Sequence, residues 1–242
     1  MRLFSFASFA SFTFAFCLLP FHFAMAQERG APPATSPRDA ARVDVTGYWV
    51  SIVSEDWRFR MMTAPKGDYP NIPLNAEGKK TADAWDPAKD EASADHCKAY
   101  GAPNLMRVPA RFHLTWADEA TLKIESDAGM QTRLLQFKAP KAPPRPSRQG
   151  SSSAEWEGRG SLKVVTDNLL PGYIQSNGAP YSARATMTEH FDVVKEANGD
   201  EWLIVDAVVE DPQYCTRSLI RSTHFRKQRD GAGWDPSPCA VR

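Results

Sequence analysis

From about residue 106 onwards, the chain is a succession of short runs in which apolar and polar residues alternate, with short turns between them. Alternation at period two is typical of a β-strand that buries one face. Nearly every link is too short for the crossover that joins parallel strands, so neighbouring strands are expected to pair antiparallel. The pattern therefore disfavours βαβ units and predicts a β-meander.

Roughly eight or nine short strands are predicted. An up-and-down barrel pairs every strand edge of such a meander, so we predict a mostly β chain folded as an antiparallel up-and-down β-barrel. A β-sandwich is the alternative. Residues 56–62, DWRFRMM, alternate large and basic side chains and indicate a further extended segment. The predicted strands are residues 46–53, 111–116, 121–126, 130–137, 154–158, 160–168, 185–194, 201–211 and 222–228.

One segment has a helical composition, residues 75–100, in which Ala, Glu, Lys and Asp dominate. Asp86-Pro87 interrupts this segment, and because proline breaks a helix interior, two short helices are predicted. Residues 138–153 are rich in proline and serine. We interpret them as a long loop within a single domain at 44–242, and a boundary between two domains is the alternative.

The first 26 residues differ in character from the rest of the chain. Arg2 precedes a long apolar run, and Ala24-Met25-Ala26 fits the small-x-small pattern before a cleavage site. We therefore predict a signal peptide at 1–26, cleavage near Ala26 and a periplasmic or secreted mature protein; an uncleaved membrane anchor is the alternative. Residues 27–43 are polar and proline-rich, which predicts a disordered linker. No later stretch is long and apolar enough for a membrane span.

Export would place the mature chain in an oxidising compartment, where cysteines form disulfides. Cys97, Cys215 and Cys239 remain after cleavage, and three cysteines cannot all pair. We favour a Cys97–Cys239 disulfide that ties down the C-terminal tail, with Cys215 free. A Cys97–Cys215 disulfide stays open as the alternative.

Charge and motifs exclude several classes of function. Lys plus Arg and Asp plus Glu are both 29, so the chain has no basic surplus that would indicate nucleic acid as a partner. The sequence contains no GxSxG, HExxH, GxGxxG or P-loop motif. It also has no closely spaced Cys/His cluster of the kind that binds zinc. The sequence therefore indicates no cofactor and no metal, and it does not indicate an oligomeric state.

Several motifs, taken together, resemble a group of exported bacterial β-barrel proteins that are similar in outline to lipocalins and other calycins. They are Cys97…Pro103…Met106…Pro109, LKIESDAGMQTRL, AEWEGRGSLKVVTDN, YSARATMTEHFDVV and VVEDPQYCT. The resemblance covers residues 44–239 and implies a barrel architecture and an exported location. It transfers no activity and no catalytic residue, and Cys215 stands where the pattern leads us to expect an apolar residue.

The predicted strand at 185–194, ATMTEHFDVV, places a carboxylate, Glu189, among the apolar residues of one face. Asn198-Gly199 is typical of a two-residue hairpin turn, which would set Glu189 opposite Val208. A buried carboxylate needs a cation or hydrogen bonds, or takes up a proton. A solvated rim or a register slip of one residue is the alternative. The face that this pairing predicts carries Met187, Glu189, Phe191, Asp206 and Glu210.

A second group of polar residues lies in the first meander. His113, Glu125 and Arg133 are expected to share one polar face, and a solvated outer face with weak ion pairs is the alternative. Arg58 and Arg60 alternate with aromatic residues, and an arginine can hold a buried carboxylate with both arms of its guanidinium group. These residues are therefore candidate partners for a carboxylate inside the barrel.

Three functions follow as hypotheses. The first is a periplasmic barrel that binds a small hydrophobic or aromatic molecule in an aromatic-lined lumen. The second is a cofactor-free isomerase, lyase or hydrolase with a carboxylate base, and the third is an envelope interaction protein that uses the loop at 138–150. The predicted catalytic residues are Glu189, Asp206 and His113. The predicted ligand-binding residues are Trp57, Arg58, Arg60, Trp116, Arg133, Met187, Phe191 and Glu210.

Overall fold

Nine β-strands form a closed ring in the computed structural model, which describes residues 36–140, 144–158 and 160–241. The strands are β1 (Gly47–Ile52), β2 (Arg111–Asp118), β3 (Thr121–Ser126), β4 (Ala128–Gly129), β5 (Gln131–Gln136), β6 (Ser151–Glu157), β7 (Ser161–Asp167), β8 (Gly172–Gln175), β9 (Ala179–Tyr181), β10 (Thr186–Lys195), β11 (Glu201–Glu210), β12 (Leu219–Gln228) and β13 (Ser237–Pro238). The helices are α1 (Trp57–Met61), α2 (Ala76–Asp83), α3 (Pro87–Ala92) and α4 (Ala102–Leu105), with a 3₁₀ helix at His96–Tyr100.

The ring runs in chain order through β1, β2, β3, β5, β6, β7, β10, β11 and β12, and β12 pairs with β1 to close it. All neighbours are antiparallel except β5 and β6, which are parallel. A closed ring with an odd number of strands must contain a parallel pair, because strand direction cannot alternate all the way round. The long segment between β5 and β6 makes that pair possible, since parallel strands need a long connection. The predicted up-and-down barrel is thus confirmed, with one parallel pair.

The helical insert is also confirmed. Helix α2 begins after Asn75, whose side chain accepts from the Gly78 N–H at 2.9 Å, and α3 begins after Asp86, which accepts from the Ala88 N–H at 3.1 Å. Pro87 occupies the first turn of α3, where a missing N–H costs nothing. Asp86-Pro87 therefore separates two short helices, as the composition predicts.

Three local predictions are wrong. Residues 57–61 form helix α1 and are not an extended segment. Strand β6 begins at Ser151, within the predicted loop, and the hairpin of β8 and β9 lies between the predicted strands 160–168 and 185–194, where no strand is predicted. The alternation of large and basic residues near residue 57 is also compatible with a single helical turn, so the pattern alone could not distinguish the two.

The hairpin between β10 and β11 has a different register from the predicted one. Lys195 pairs with Glu201, and the Glu196 N–H donates to the Asp200 carbonyl at 2.8 Å, so the loop has three residues. Gly199 adopts a positive φ of 87°, as a three-residue loop with a bulge requires. Glu189 consequently pairs with Ala207, one position from the prediction. A shift of one residue moves every side chain of β11 to the opposite face of the sheet.

Apolar side chains from all around the ring fill the barrel. Trp49, Phe112, Phe191 and Phe225 are fully buried there, and the rings of Phe112 and Phe225 pack edge to face with centroids 5.3 Å apart. A second apolar cluster joins Met187 to residues of α2, β8 and β9. Of the aromatic residues predicted to bind ligand, Phe191 belongs to this core, Trp116 packs against it and Trp57 is exposed on α1.

The segment before β1 packs onto the barrel. The Trp156 indole N–H donates to the Pro37 carbonyl at 2.8 Å, Ser36 contacts Glu119, and Val43 packs against the core. The prediction of a disordered linker is therefore wrong for residues 36–43. The remainder of that linker and the predicted signal peptide lie outside the described residues.

Cys97 and Cys239 form a disulfide, with Cα atoms 5.2 Å apart, and Cys215 is a free thiol. This confirms the favoured pairing over Cys97–Cys215. The disulfide holds the C-terminal tail beside β4, with which β13 forms a short parallel pair. Within the described part of the chain, no helix has the length and apolar character needed to cross a membrane.

Candidate functional site

Glu189 lies inside the barrel and forms an ion pair with Arg133. Each side chain is at most 1% exposed, and two guanidinium nitrogens of Arg133 donate to the two carboxylate oxygens of Glu189, at 2.6 and 3.2 Å. This two-point arrangement is the strongest geometry that an arginine and a carboxylate form. The carboxylate that interrupts the apolar face of β10 is therefore compensated by a charge on β5.

Small polar side chains on the two strands between β5 and β10 complete the network. Arg133 also donates to the Thr166 hydroxyl at 3.2 Å, and Thr166 is 2.8 Å from the Ser152 hydroxyl. Thr166 and Ser152 face inward on β7 and β6, and their short side chains leave space for the long arginine side chain. The Nε of Arg133 is buried without a hydrogen-bond partner among the described residues.

A small cavity lies beside Glu189, and we call it the α4 cavity because the segment 102–107 forms one of its walls. The volume open to the centre of a water molecule is about 10 Å³, so the cavity accepts one group of that size. Strands β10, β11 and β12 form the opposite wall. The residues that line the cavity are Ala102, Pro103, Met106, Arg107, Met187, Glu189, Ala207, Val209, Arg221 and Thr223.

Strand register explains why the cavity forms at this place. Glu189 on β10 pairs with Ala207 on β11, and Ala207 pairs with Arg221 on β12, so the three residues form one row across adjacent strands. Side chains at paired positions point to the same face of a sheet. The middle residue of the row has only a methyl side chain, and this leaves an open space between the carboxylate and the guanidinium group.

Arg221 is a buried cation without a carboxylate partner among the residues that the structure describes. One guanidinium nitrogen donates to the Ile174 carbonyl at 2.7 Å, and no ion pair joins Arg221 to any described carboxylate. Burial lowers the pKa of Arg221 well below the usual arginine value, Arg107 and Arg60 lower it further, and Asp56 acts in the opposite direction. The second arginine of the cavity, Arg107, has a partner, because it donates to Asp56 at 3.0 Å.

Arg60, predicted to bind ligand, has a structural role. Its side chain is buried, pairs with Glu55 and donates to the Arg107 carbonyl at 3.0 Å. Burial lowers its pKa to about 10, although the nearby Glu55 raises it. Arg58 is exposed and pairs with Asp68 at 2.5 Å. Neither arginine contacts Glu189, so the prediction that they hold the carboxylate is wrong.

The other candidate residues divide between the two faces of the barrel. Met187 and Phe191 face inward and are buried, on either side of Glu189. Asp206 and Glu210 face outward and are exposed, so the predicted face with three carboxylates does not exist. Trp57 is 59% exposed on α1, and Trp116 packs against Phe137 and the core.

His113 lies on the outer surface of the barrel and is separated from Glu189 by the barrel wall. It stacks on Tyr48 with ring centroids 3.9 Å apart and pairs across strands with Glu125, its ring nitrogen 3.7 Å from the carboxylate. Arg133 points inward from β5. The predicted polar face of His113, Glu125 and Arg133 is therefore wrong for Arg133. The structure thus unites Glu189 with Arg133 and Met187, and it places His113 elsewhere.

Sequence reasoning did not place three polar residues in the interior: Ser152, Thr166 and Arg221. For Arg221 a signal was present. The run LIRSTHF places Leu219, Arg221, Thr223 and Phe225 on one strand face, which is the same anomaly of one charge in an apolar row that marks Glu189. Ser152 and Thr166 carry no such signal, since hydroxyl residues are common on both faces of strands.

The network limits what the site can do chemically. Arg133 binds both oxygens of Glu189, so this carboxylate serves as the counter-charge of a buried cation, which would be left unpaired if Glu189 took up a proton from a substrate. The α4 cavity instead offers guanidinium N–H donors beside an apolar wall, which is an arrangement for binding.

No protein family model matches this chain, and no match to it was found among the curated proteins.

Proposed function

We propose that this protein is an exported binding protein that takes up a small molecule in the α4 cavity. The observation that carries the proposal is the composition of the cavity wall, where six apolar residues surround a few polar groups. Binding sites for small molecules are mostly apolar, with a few polar groups that orient the ligand. The resemblance to exported barrel proteins, lipocalin-like in outline, agrees with this function without specifying a ligand.

The export part of the proposal has separate support. The first 26 residues have the composition of a signal peptide, and Cys97 and Cys239 form a disulfide. Disulfides persist in oxidising compartments such as the periplasm. Mass measurement of the purified mature protein tests this directly, because cleavage near Ala26 removes the predicted signal peptide.

The size of the cavity sets a condition on binding. A space of about 10 Å³ accepts one water-sized group, so a larger ligand must displace part of the segment 102–107. This segment carries only four helical residues, in α4, and takes part in no strand pair of the barrel, so its displacement withdraws Met106 from the core without breaking the ring. We therefore propose that the ligand enters between α4 and the wall formed by β10, β11 and β12.

Native mass spectrometry of the protein purified from the periplasm tests the proposed function. We expect a discrete extra mass on the folded wild-type protein that disappears on denaturation. Ala207→Val fills the cavity from the middle of the β10–β12 row and should remove the extra mass while the barrel stays folded. Ala197→Val, in the exposed hairpin loop, is the matched control and should keep it. A wild-type protein without any extra mass, or an Ala207→Val variant that retains it, would contradict the proposal.

The enzyme hypothesis is less well supported at this site. A general base must give up its negative charge when it takes a proton, whereas the charge of Glu189 compensates the buried guanidinium group of Arg133. The two other predicted catalytic residues, Asp206 and His113, lie on the outside of the barrel. The α4 cavity therefore favours binding over catalysis.

A further inference from the structure

We infer that the ligand of the α4 cavity is a small aliphatic carboxylate, and that Arg221 is the residue that binds its negative charge. This inference rests on the proposed binding function and specifies its ligand class. Four arginines are buried in the described part of the molecule. Three of them pair with a carboxylate, and the fourth, Arg221, donates only to a backbone carbonyl. The three pairs are Arg60–Glu55, Arg107–Asp56 and Arg133–Glu189.

An unpaired buried guanidinium group is costly. Arginine stays protonated in proteins, so it cannot escape the cost of burial by losing its proton. A neutral carbonyl such as that of Ile174 compensates only part of the lost hydration, and removing one partner of a buried ion pair usually destabilises a protein strongly. A bound anion would supply the missing charge at Arg221.

The charged groups around Arg221 do not supply this compensation. Arg107 and Arg60 are positive and repel the Arg221 guanidinium group, whereas Asp56 attracts it from a distance and already pairs with Arg107. Burial raises the pKa of the nearby Cys215 thiol to about 11, so this thiol is neutral at neutral pH. Glu189 stands in the same β10–β12 row, but both of its oxygens are bound to Arg133. The Glu189 charge is therefore largely neutralised and does not exclude an anion from the space beside it.

The walls of the cavity indicate the kind of anion. A carboxylate can accept two N–H donors from one guanidinium group, and a second arginine, Arg107, lines the same space. The remaining wall is mostly apolar, with Met106, Met187 and Val209 facing the cavity. Apolar surface beside a cation suits a carboxylate with a short hydrocarbon chain better than a strongly hydrated polyvalent anion such as sulfate or phosphate.

Three compounds that share one hydrocarbon chain test the inference: hexanoate, hexan-1-ol and hexylamine. Dissociation constants for the exported protein can be measured by NMR titration of its backbone amides. We expect wild type to bind hexanoate at least about tenfold more tightly than hexan-1-ol, because a charge-assisted pair forms only with the carboxylate. Arg221→Gln should abolish this preference. Arg217→Gln, an exposed arginine just before β12, is the matched control and should retain it.

The outcomes separate the inference from the proposed function. If none of the three compounds binds to wild type, the inference fails, and the proposed function fails as well only if wild type carries no extra mass in native mass spectrometry. If hexan-1-ol or hexylamine binds as tightly as hexanoate, or if Arg221→Gln keeps the preference, the cavity is a binding site but the anion assignment is wrong. Chloride that displaces hexanoate from the same amides at constant ionic strength would indicate a plain halide site and would also overturn the assignment. The comparison of compounds on wild type needs no variant, so a folding defect in Arg221→Gln does not remove the test.

Discussion

The guanidinium group of Arg133 on β5 binds both carboxylate oxygens of Glu189 on β10, across the two strands β6 and β7 that separate them in the ring. The two residues are 56 positions apart in the chain, and both are fully buried. The ion pair therefore links distant parts of the barrel wall through its interior. Such a pair adds little net stability compared with apolar residues of similar volume, since burying both charges is costly.

Breaking this ion pair on one side should destabilise the protein strongly. Glu189→Gln leaves Arg133 buried without a counter-charge, and we expect the free energy of unfolding to fall by about 3–5 kcal/mol. The double variant Arg133→Met/Glu189→Met should lose less than Glu189→Gln alone, because no uncompensated charge remains. Urea denaturation measures all these values.

A matched control for the ion-pair prediction is available on the outer surface. Lys163 pairs with Glu155 at 2.9 Å in an exposed position on β6 and β7, where solvent screens the interaction. Glu155→Gln should change the midpoint of urea unfolding little. Equal losses from Glu189→Gln and Glu155→Gln would show that the interior pair has no special role.

Much of the architecture could be predicted from the sequence because it depends on local patterns. Alternation at period two identified the barrel strands, and Asp86-Pro87 marked the break between two helices. The register of the β10–β11 hairpin could not be predicted in the same way. Asn198-Gly199 occurs in two-residue turns and also in three-residue loops with a bulge, and the difference of one residue decides that Asp206 and Glu210 face solvent.

The candidate site was predictable only in part for a different reason. The Glu189 anomaly is visible within a single strand, whereas its partner could be chosen only with the order of strands around the ring. Arg58 and Arg60 were equally plausible partners by residue type, yet α1 lies outside the ring and its arginines pair with Asp68 and Glu55. Long-range pairing of charges follows from topology, and local sequence patterns do not encode it.

The three-residue hairpin loop makes a prediction about Gly199. Its φ of 87° lies in the left-handed region, and a side chain added there would meet no atom within 4 Å. The cost of Gly199→Ala is therefore conformational only, and we expect a loss of about 1 kcal/mol in the free energy of unfolding. Gly199→Asn should cost less, because asparagine adopts this conformation more readily. A Gly199→Ala variant as stable as wild type would contradict the bulged loop.

The disulfide should contribute strongly to stability, because it closes a loop between two cysteines that are 142 positions apart. Cys239→Ser is expected to lower the free energy of unfolding by about 3–5 kcal/mol. Reductant should lower the melting temperature of wild type and of Cys215→Ser alike, since Cys215 lies outside the disulfide. It should not affect Cys239→Ser further. A melting temperature of wild type that stays constant after confirmed reduction would contradict this prediction.

His113 should make stability depend on pH. Partial burial against Tyr48 lowers the pKa of His113 below its usual value near 6.5, and this effect outweighs the opposite influence of Glu125. The unfolded chain therefore binds a proton more readily than the folded protein in the weakly acidic range. It follows that the stability contributed by neutral His113 is present above about pH 6.5 and is lost as the pH falls through and below that value.

Two measurements check the behaviour of His113. An NMR titration of the imidazole signals of the folded protein should give a midpoint below 6.5 for this residue. His113→Phe keeps an aromatic ring on Tyr48 and removes the titrating group, so the melting temperature of this variant should fall less than that of wild type between neutral and weakly acidic pH. An imidazole midpoint above 6.5 would mean that the ion pair with Glu125 dominates over burial and that the sign of the prediction is reversed. An unchanged pH dependence in His113→Phe would mean that His113 does not contribute to it.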